Sequence, residues 1–209
     1  RSVTVGRAQG AHIVTTGDGG IGILAQSIGG GGGVAADLNA ELHVYYVNPS
    51  SVGSSYGSGQ TWGSQPVSVT VDAGASIITS GSYAHGIVAQ SVGGSGGIFE
   101  RNGKTYAGSL HRNGKNNGKN IDSTITVTVE GSVVTKADNA WAIWAQSQDE
   151  SPTQGSPAAV NVVVNSGGTV LGSTTTSLSG GAIYAAYNAG AGASFSNFGI
   201  VIGNVITSA

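Results

Sequence analysis

Apolar and polar residues alternate along this chain in short bursts, and the bursts repeat. Val67-Ser68-Val69-Thr70-Val71, Ile125-Thr126-Val127-Thr128-Val129 and Val160-Asn161-Val162-Val163-Val164 read as strands with one buried face. Val3-Thr4-Val5 looks like the tail of an earlier copy. Each burst runs into a glycine-containing turn (Ala73-Gly74, Gly131-Ser132, Gly167-Gly168) and then a second short strand: Ile13-Val14-Thr15, Ile77-Ile78-Thr79, Val133-Val134-Thr135 and Thr169-Val170-Leu171. A third strand carries a recurring phrase, Gly22-Ile23-Leu24-Ala25-Gln26-Ser27. It returns as Gly86-Ile87-Val88-Ala89-Gln90-Ser91, as Ala142-Ile143-Trp144-Ala145-Gln146-Ser147, and more loosely as Ala182-Ile183-Tyr184-Ala185-Ala186-Tyr187.

The spacing makes this a solenoid. The phrase's glutamines stand 64 and 56 residues apart. Removing two irregular stretches, 34–63 and 98–122, and a shorter one at 149–157, leaves 31–34 residues per repeat, with the stretches extruded as loops at one corner. Three strands per turn, each equivalent to the strand one turn later, predict an all-β, three-sided parallel β-helix of about five rungs. Rungs then lie about 4.8 Å apart, and every position becomes a column of like side chains. Ile23, Ile87, Ile143 and Ile183 should stack inside, with Ala25, Ala89, Ala145 and Ala185 beside them where a small side chain suits a corner. Gln26, Gln90 and Gln146 should form an amide ladder, each carbonyl accepting from the next rung's NH2 group. The opposite parity, Leu24, Val88, Trp144 and Tyr184, should face outward as an apolar stripe suited to packing against a loop or another fibre. Phe195 through Gly203 opens a further rung, and neither end carries a polar cap, so more rungs or other copies are expected beyond both ends.

Composition agrees. The 209 residues include 37 glycines, 39% are hydrophobic and only 9% are charged. That apolar content separates the chain from disordered segments, and the Gly, Ser, Thr, Val and Ile bias is that of strands and turns. No cysteine is present, so disulfides and thiolate metal sites are excluded. Methionine is also absent, which points to a processed product or an excised fragment. No run of 18 apolar residues forms a membrane helix, and a net charge of -2 gives no reason to expect nucleic acid as a partner.

Ala25-Gln26-Ser27-Ile28 followed by Gly29–Gly33, with its echo Ala89-Gln90-Ser91-Val92-Gly93-Gly94-Ser95-Gly96-Gly97, resembles the Gly-rich repeats of large Gram-negative autotransporter passengers. Ser196-Asn197-Phe198-Gly199-Ile200-Val201-Ile202-Gly203 is similar to the rung phrase N-x-G-x-I-x-G of pertactin-like passengers. The resemblance covers most of the chain outside the loops. It implies a right-handed β-helix at the bacterial cell surface, exported through an outer-membrane barrel that is not in this chain, and acting as an adhesin, stalk or aggregation factor. The third rung departs from the pattern: Gln148-Asp149-Glu150-Ser151-Pro152 replaces the glycine run.

Chemical motifs are sparse. Gly17-Asp18-Gly19-Gly20-Ile21-Gly22 matches G-x-G-x-x-G in letters but leads into a strand rather than a helix, so no dinucleotide cofactor is expected. Gly29–Gly33 lacks the Lys-Ser/Thr of a phosphate loop and reads as a corner needing positive φ. The four histidines, His12, His43, His85 and His111, show no metal-ligand spacing. Asp72 and Glu130 both follow the last valine of a first strand, so they should sit one rung apart in one column, with Asn165 third. Two carboxylates about 5 Å apart are the geometry of a retaining glycosidase, which makes a carbohydrate-active β-helical enzyme the alternative function. A phage or appendage fibre is a further one.

The loops carry the chain's individuality. Residues 98–122 hold Arg101, Lys104, Arg112, Lys115 and Lys119, giving that stretch +3 against -5 for the remainder. Phe99-Glu100-Arg101-Asn102-Gly103-Lys104-Thr105-Tyr106 predicts a hairpin on an Asn-Gly turn, a basic protrusion able to contact anionic glycans. The loop at 34–63 contributes Tyr45, Tyr46, Tyr56 and Trp62 as aromatic platforms. The expected function is a structural and adhesive surface stalk without enzymatic activity, metal or cofactor. Its partners are copies of itself and surface glycans, with these basic and aromatic residues, Trp144 and Tyr184 as the contact candidates.

Overall fold

The computed structural model describes residues 1–6, 10–28, 31–36, 62–93, 95–101, 104–110, 120–121, 123–149, 158–174, 180–186 and 192–208. Every regular element among them is a strand. The first rung is β1 (Ser2–Val5), β2 (His12–Thr15) and β3 (Ile23–Ile28), followed by β4 (Gly31–Ala36) and β5 (Trp62–Gly63). The second is β6 (Val67–Val71), β7 (Ser76–Thr79) and β8 (Ile87–Gly93), followed by β9 (Ser95–Arg101), β10 (Lys104–Leu110) and β11 (Asn120–Ile121). The third is β12 (Ile125–Val129), β13 (Ser132–Thr135) and β14 (Trp141–Asp149), and the fourth β15 (Val160–Val164), β16 (Thr169–Leu171) and β17 (Gly181–Ala186). The fifth is β18 (Ala193–Asn197), β19 (Ile200–Ile202) and β20 (Val205–Ser208).

Equivalent strands of successive rungs pair in parallel, building three five-stranded sheets: β1-β6-β12-β15-β18, β2-β7-β13-β16-β19 and β3-β8-β14-β17-β20. The fold is thus a three-sided parallel β-helix of about five rungs, as the repeat predicts. Register keeps like with like: Ile23, Ile87, Ile143 and Ile183 are successive partners, as are Ala25, Ala89, Ala145 and Ala185. Both columns are buried and share one core with Val69, Val71, Ile77, Val127, Val129, Val133, Val162, Val164 and Val170. Burying one Ile or Val of this kind stabilises by about 1.5–3 kcal/mol relative to exposure. The alternation is visible in β6, β12 and β15, where residues are buried and half-buried in turn.

Glycine matters where rungs come closest. A Cβ on Gly86 would sit 2.5 Å from the Ala142 carbonyl oxygen one rung on, and Gly74 closes its turn at a φ of +81°. At each end of the stack the strands have a neighbour on one side only. Phe195 therefore remains 38% exposed although its register partner Val162 is fully buried.

The Gly-rich run departs from its reading as a corner. Gly31–Ala36 is strand β4, paired in parallel with β9 through Gly31↔Ser95, Gly32↔Gly96 and Gly33↔Gly97. Glycine's freedom includes the extended region, and a matching Gly-rich strand one rung away supplies the ladder. The stretches at 34–63 and 98–122 accordingly begin and end in strand pairing: β4 with β9 at their start, and β5 with β11 at their return.

One core column carries a defect. Thr15, Thr79 and Thr135 are successive partners. The Thr135 hydroxyl donates to the Ala84 carbonyl at 3.3 Å, whereas the fully buried Thr79 Oγ1 has no partner. Thr79→Val removes that unsatisfied group while keeping the branched shape. Chemical denaturation should show the variant more stable by about 1 kcal/mol; a loss of that size would mean that the hydroxyl is satisfied in solution.

Candidate functional site

The phrase Ala-Gln-Ser lies in β3, β8 and β14, toward the corner where the long connections leave, and its three positions have different tasks. The alanine fills the core. The glutamine and serine hold the corner together.

Gln26 Nε2 donates to Gln90 Oε1 at 2.8 Å, and Gln90 Nε2 donates to Gln146 Oε1 at 2.8 Å. The amide ladder exists, but each carbonyl accepts from the rung before it rather than the rung after. Either direction satisfies one donor and one acceptor per amide along the stack. Gln90 is fully buried and Gln146 nearly so.

The serines form a second buried network that the repeat alone did not assign. Gln65 N donates to Ser27 Oγ at 2.7 Å, fastening the point where the chain returns from its first long excursion. Ser91 Oγ accepts from Ser123 N at 3.0 Å and shares a hydrogen bond with Ser64 Oγ at 2.8 Å. Ser123 Oγ donates to the Ser64 carbonyl at 2.9 Å, and Ser147 Oγ to the Ser123 carbonyl at 3.3 Å. Both inserted stretches are thus clipped at their bases. The sequence signal was Ser27, Ser91 and Ser147, shared by the first three copies of the phrase; their partners at 64, 65 and 123 lie 24–38 residues away and carry no local mark.

The outer face of the third sheet is not an exposed stripe. Val88 is fully buried and Trp144 is 7% exposed, in a cluster with Trp141 and half-buried Ile21, Tyr184 and Ile206. Trp144 meets Tyr184 at 4.9 Å between ring centroids and His85 edge-on at 5.1 Å. The indole Nε1 of Trp144 has no hydrogen-bond partner. Leu24, at the open end of the same column, is 42% exposed. Trp144 therefore spends its aromatic surface on Tyr184 and His85, and Tyr184 packs on Trp144 and Trp141.

His85 stands in that turn, fully buried, with Nδ1 accepting from the Trp141 backbone N–H at 2.9 Å. An accepting Nδ1 requires a neutral ring carrying its proton on Nε2. Burial lowers its pKa from the ordinary 6.5 to about 4 by desolvating the charged form. Spacing had marked His85 only as a non-ligand; its structural part was invisible without the fold.

The acid column has the expected register, with Asp72, Glu130 and Asn165 each following paired strand ends. Glu130 Oε1 accepts from Asn165 Nδ2 at 3.1 Å, so the neighbouring rung answers one carboxylate with an amide. Among the described residues no group of three or more His, Asp or Glu side chains could hold a metal ion.

The basic hairpin is present as β9 and β10, antiparallel, with Arg101 opposite Lys104 and Phe99 opposite Tyr106. That register leaves two residues, Asn102 and Gly103, to join them. Trp62 lies on β5, opposite Asn120. Tyr45, Tyr46, Tyr56, Arg112, Lys115 and Lys119 fall outside the described residues. No helix among the described residues is long and apolar enough to cross a membrane. No protein-family model, curated protein or solved structure matches the chain.

Two outcomes follow. Because His85 is held neutral in the fold and titrates near 6.5 when unfolded, the stability it protects is complete above that pH. It drains away as pH falls toward 4, a loss of about 3 kcal/mol. His85→Asn, whose amide oxygen can replace Nδ1 as acceptor, should flatten denaturation midpoints between pH 7 and 4; an unchanged slope would place the titrating group elsewhere. Ser91→Ala strands the Ser123 N–H and should cost about 1–3 kcal/mol, against less than about 0.5 kcal/mol for Ser68→Ala on the outer side of β6. Equal costs would deny the serine network its part in closing the corner.

Proposed function

We propose that the chain is a structural and adhesive segment of an extended bacterial cell-surface stalk, of the autotransporter-passenger type, whose corner insertions make the contacts. One observation carries the reading. The three parallel ladders run unbroken through all five rungs, while the three longest connections, β3 to β6, β8 to β12 and β14 to β15, all leave at a single corner. A solenoid gains length by adding rungs that each stabilise their neighbours, and clipped insertions on one edge give it a row of presented segments. In the register of β9 and β10 Arg101 is paired with Lys104, and two basic residues at the end of a hairpin support contact with an anionic surface polymer.

The acid column supports this reading over a glycosidase. One of its carboxylates is occupied by an amide of the next rung, and its continuation after Asn165 is Phe198, the residue following paired strand β18.

Beads coated with the purified chain test the reading. They should adhere to one another or to an acidic polysaccharide, and replacing 95–110 with a short Gly-Ser turn should reduce adhesion at least fivefold. Beads that stay dispersed while the chain depolymerises a glycan, with activity lost in Glu130→Gln, would overturn it in favour of the enzyme.

A further inference from the structure

The three outer faces of the solenoid differ sharply. The first sheet shows polar residues for three rungs: Ser2 and Thr4, Ser68 and Thr70, Thr126 and Thr128. The third is covered by the aromatic cluster around Trp144. The second sheet is different again. Its inward residues are Ile13, Ile77, Val133, Val170 and Val201, so the positions one residue on point away from the core. These are Val14, Ile78, Val134, Leu171 and Ile202, one per rung and in unbroken register. Val14 is 62% exposed, Ile202 50%, and the three between them are half-buried. Beside this row runs a second outward column, His12, Ser76, Ser132, Thr169 and Ile200, whose first two members hydrogen-bond at 2.7 Å.

We propose that this second-sheet face is the lateral docking surface for a second copy of the chain, two solenoids lying side by side with their aliphatic rows in contact. The proposal builds on the stalk reading and locates its fibre-to-fibre contact. Three features select a second copy. The row repeats at the rung spacing of about 4.8 Å, and a partner that interdigitates with it along its length needs the same repeat, as a second copy has by construction. None of the ten outward residues is Asp, Glu, Lys or Arg, so two copies meet here without like-charge repulsion although the chain carries a net charge of -2. A highly charged partner would find nothing to pair with. Third, between His12 and Ile200 the column beside the row holds only Ser76, Ser132 and Thr169, short side chains that let two sheets approach to the usual separation of about 10 Å.

Area sets the strength. Five rungs by one short strand give a face of about 24 by 12 Å, about 300 Å² per copy. The pair buries about 600 Å², well short of the roughly 1,200–2,000 Å² of a stable standard interface. Two single chains of this length therefore pair weakly, and the contact strengthens as rungs are added to the row. The commonest symmetry for such a pair is a two-fold axis. With the chains antiparallel, it passes through the third rung: Val134 meets its own counterpart, and Ile78 of one copy meets Leu171 of the other.

The absence of cysteine makes covalent trapping clean. Val134→Cys and, as a control on the first sheet of the same rung, Thr128→Cys are oxidised at equal concentration, after circular dichroism shows both folded. Val134→Cys should form disulfide-linked dimer at least tenfold faster. An equimolar mixture of Ile78→Cys and Leu171→Cys should cross-link at least threefold more than either alone. Equal rates for Val134→Cys and Thr128→Cys overturn the proposal, and the mixed pair decides the same point should Val134→Cys fail to fold. Bead adhesion persisting in a Val134→Lys variant without cross-linking at this face would sink the face and leave the stalk reading intact. Rapid cross-linking with beads that do not adhere would uphold the face and remove the stalk reading.

Discussion

Everything in this molecule depends on parallel, in-register strand pairing between successive rungs. A strand of one rung can hydrogen-bond to the next only if their residues coincide, and coincidence at about 4.8 Å forces every side chain to live beside its own sequence equivalent. That single constraint turns repetition in sequence into columns in space. Isoleucine over isoleucine fills a volume without voids, alanine over alanine keeps a corner narrow, and glutamine over glutamine converts a polar position into a satisfied ladder. A β-helix of this kind needs no helix, disulfide or metal to be stable, since each rung buries the face of the one before it.

The same constraint sorts polar groups into useful and costly. Where a column holds amides or serines at the corner, hydrogen bonds pass from rung to rung: Gln26 to Gln90 to Gln146, and Ser27, Ser91 and Ser147 to the returning chain. In the core-facing threonine column the supply is uneven: Thr135 reaches the Ala84 carbonyl, while Thr79 finds no partner. The acid column follows the first pattern, Asn165 answering Glu130. Along these corner columns polar side chains thus serve cohesion between rungs.

Much of this was legible in the sequence because the columns are periodic. The five rungs, the stacked isoleucines and alanines, the glutamine ladder and the hairpin joining Arg101 to Lys104 all follow from local pattern and spacing. Part of what escaped depends on residues without a periodic signature. The run Gly31–Gly33 reads as a corner because glycine's strand use is invisible until its partner in β9 is known. Trp144 reads as outward-facing, which it is, but parity alone cannot show that His85 and Tyr184 close over it. The serine network needs Ser64 and Ser123, which sit at the ends of insertions of different length. The acceptor duty of His85 toward Trp141 joins the turn before β8 to the first residue of β14 in the next rung. For the serine network and His85 the missing information is a contact between positions that do not repeat; for Gly31–Gly33 and Trp144 the columns do repeat, and local pattern alone does not show how they pair or what covers them.

The central claim is that rung stacking in the stated register carries the whole chain, and a distance measurement across the stack tests it most directly. Thr4, Thr70, Thr128, Val163 and Ser196 form one outward column through successive pairs. Spin labels on Thr4→Cys and Ser196→Cys should report a narrow distance distribution near about 19 Å, four rung spacings, although 192 residues of chain separate them. Labels on Thr70→Cys and Ser196→Cys should close to about 14 Å. A broad distribution, or a mean beyond about 30 Å that does not shorten by one rung spacing between the two pairs, would contradict the solenoid and everything built on it.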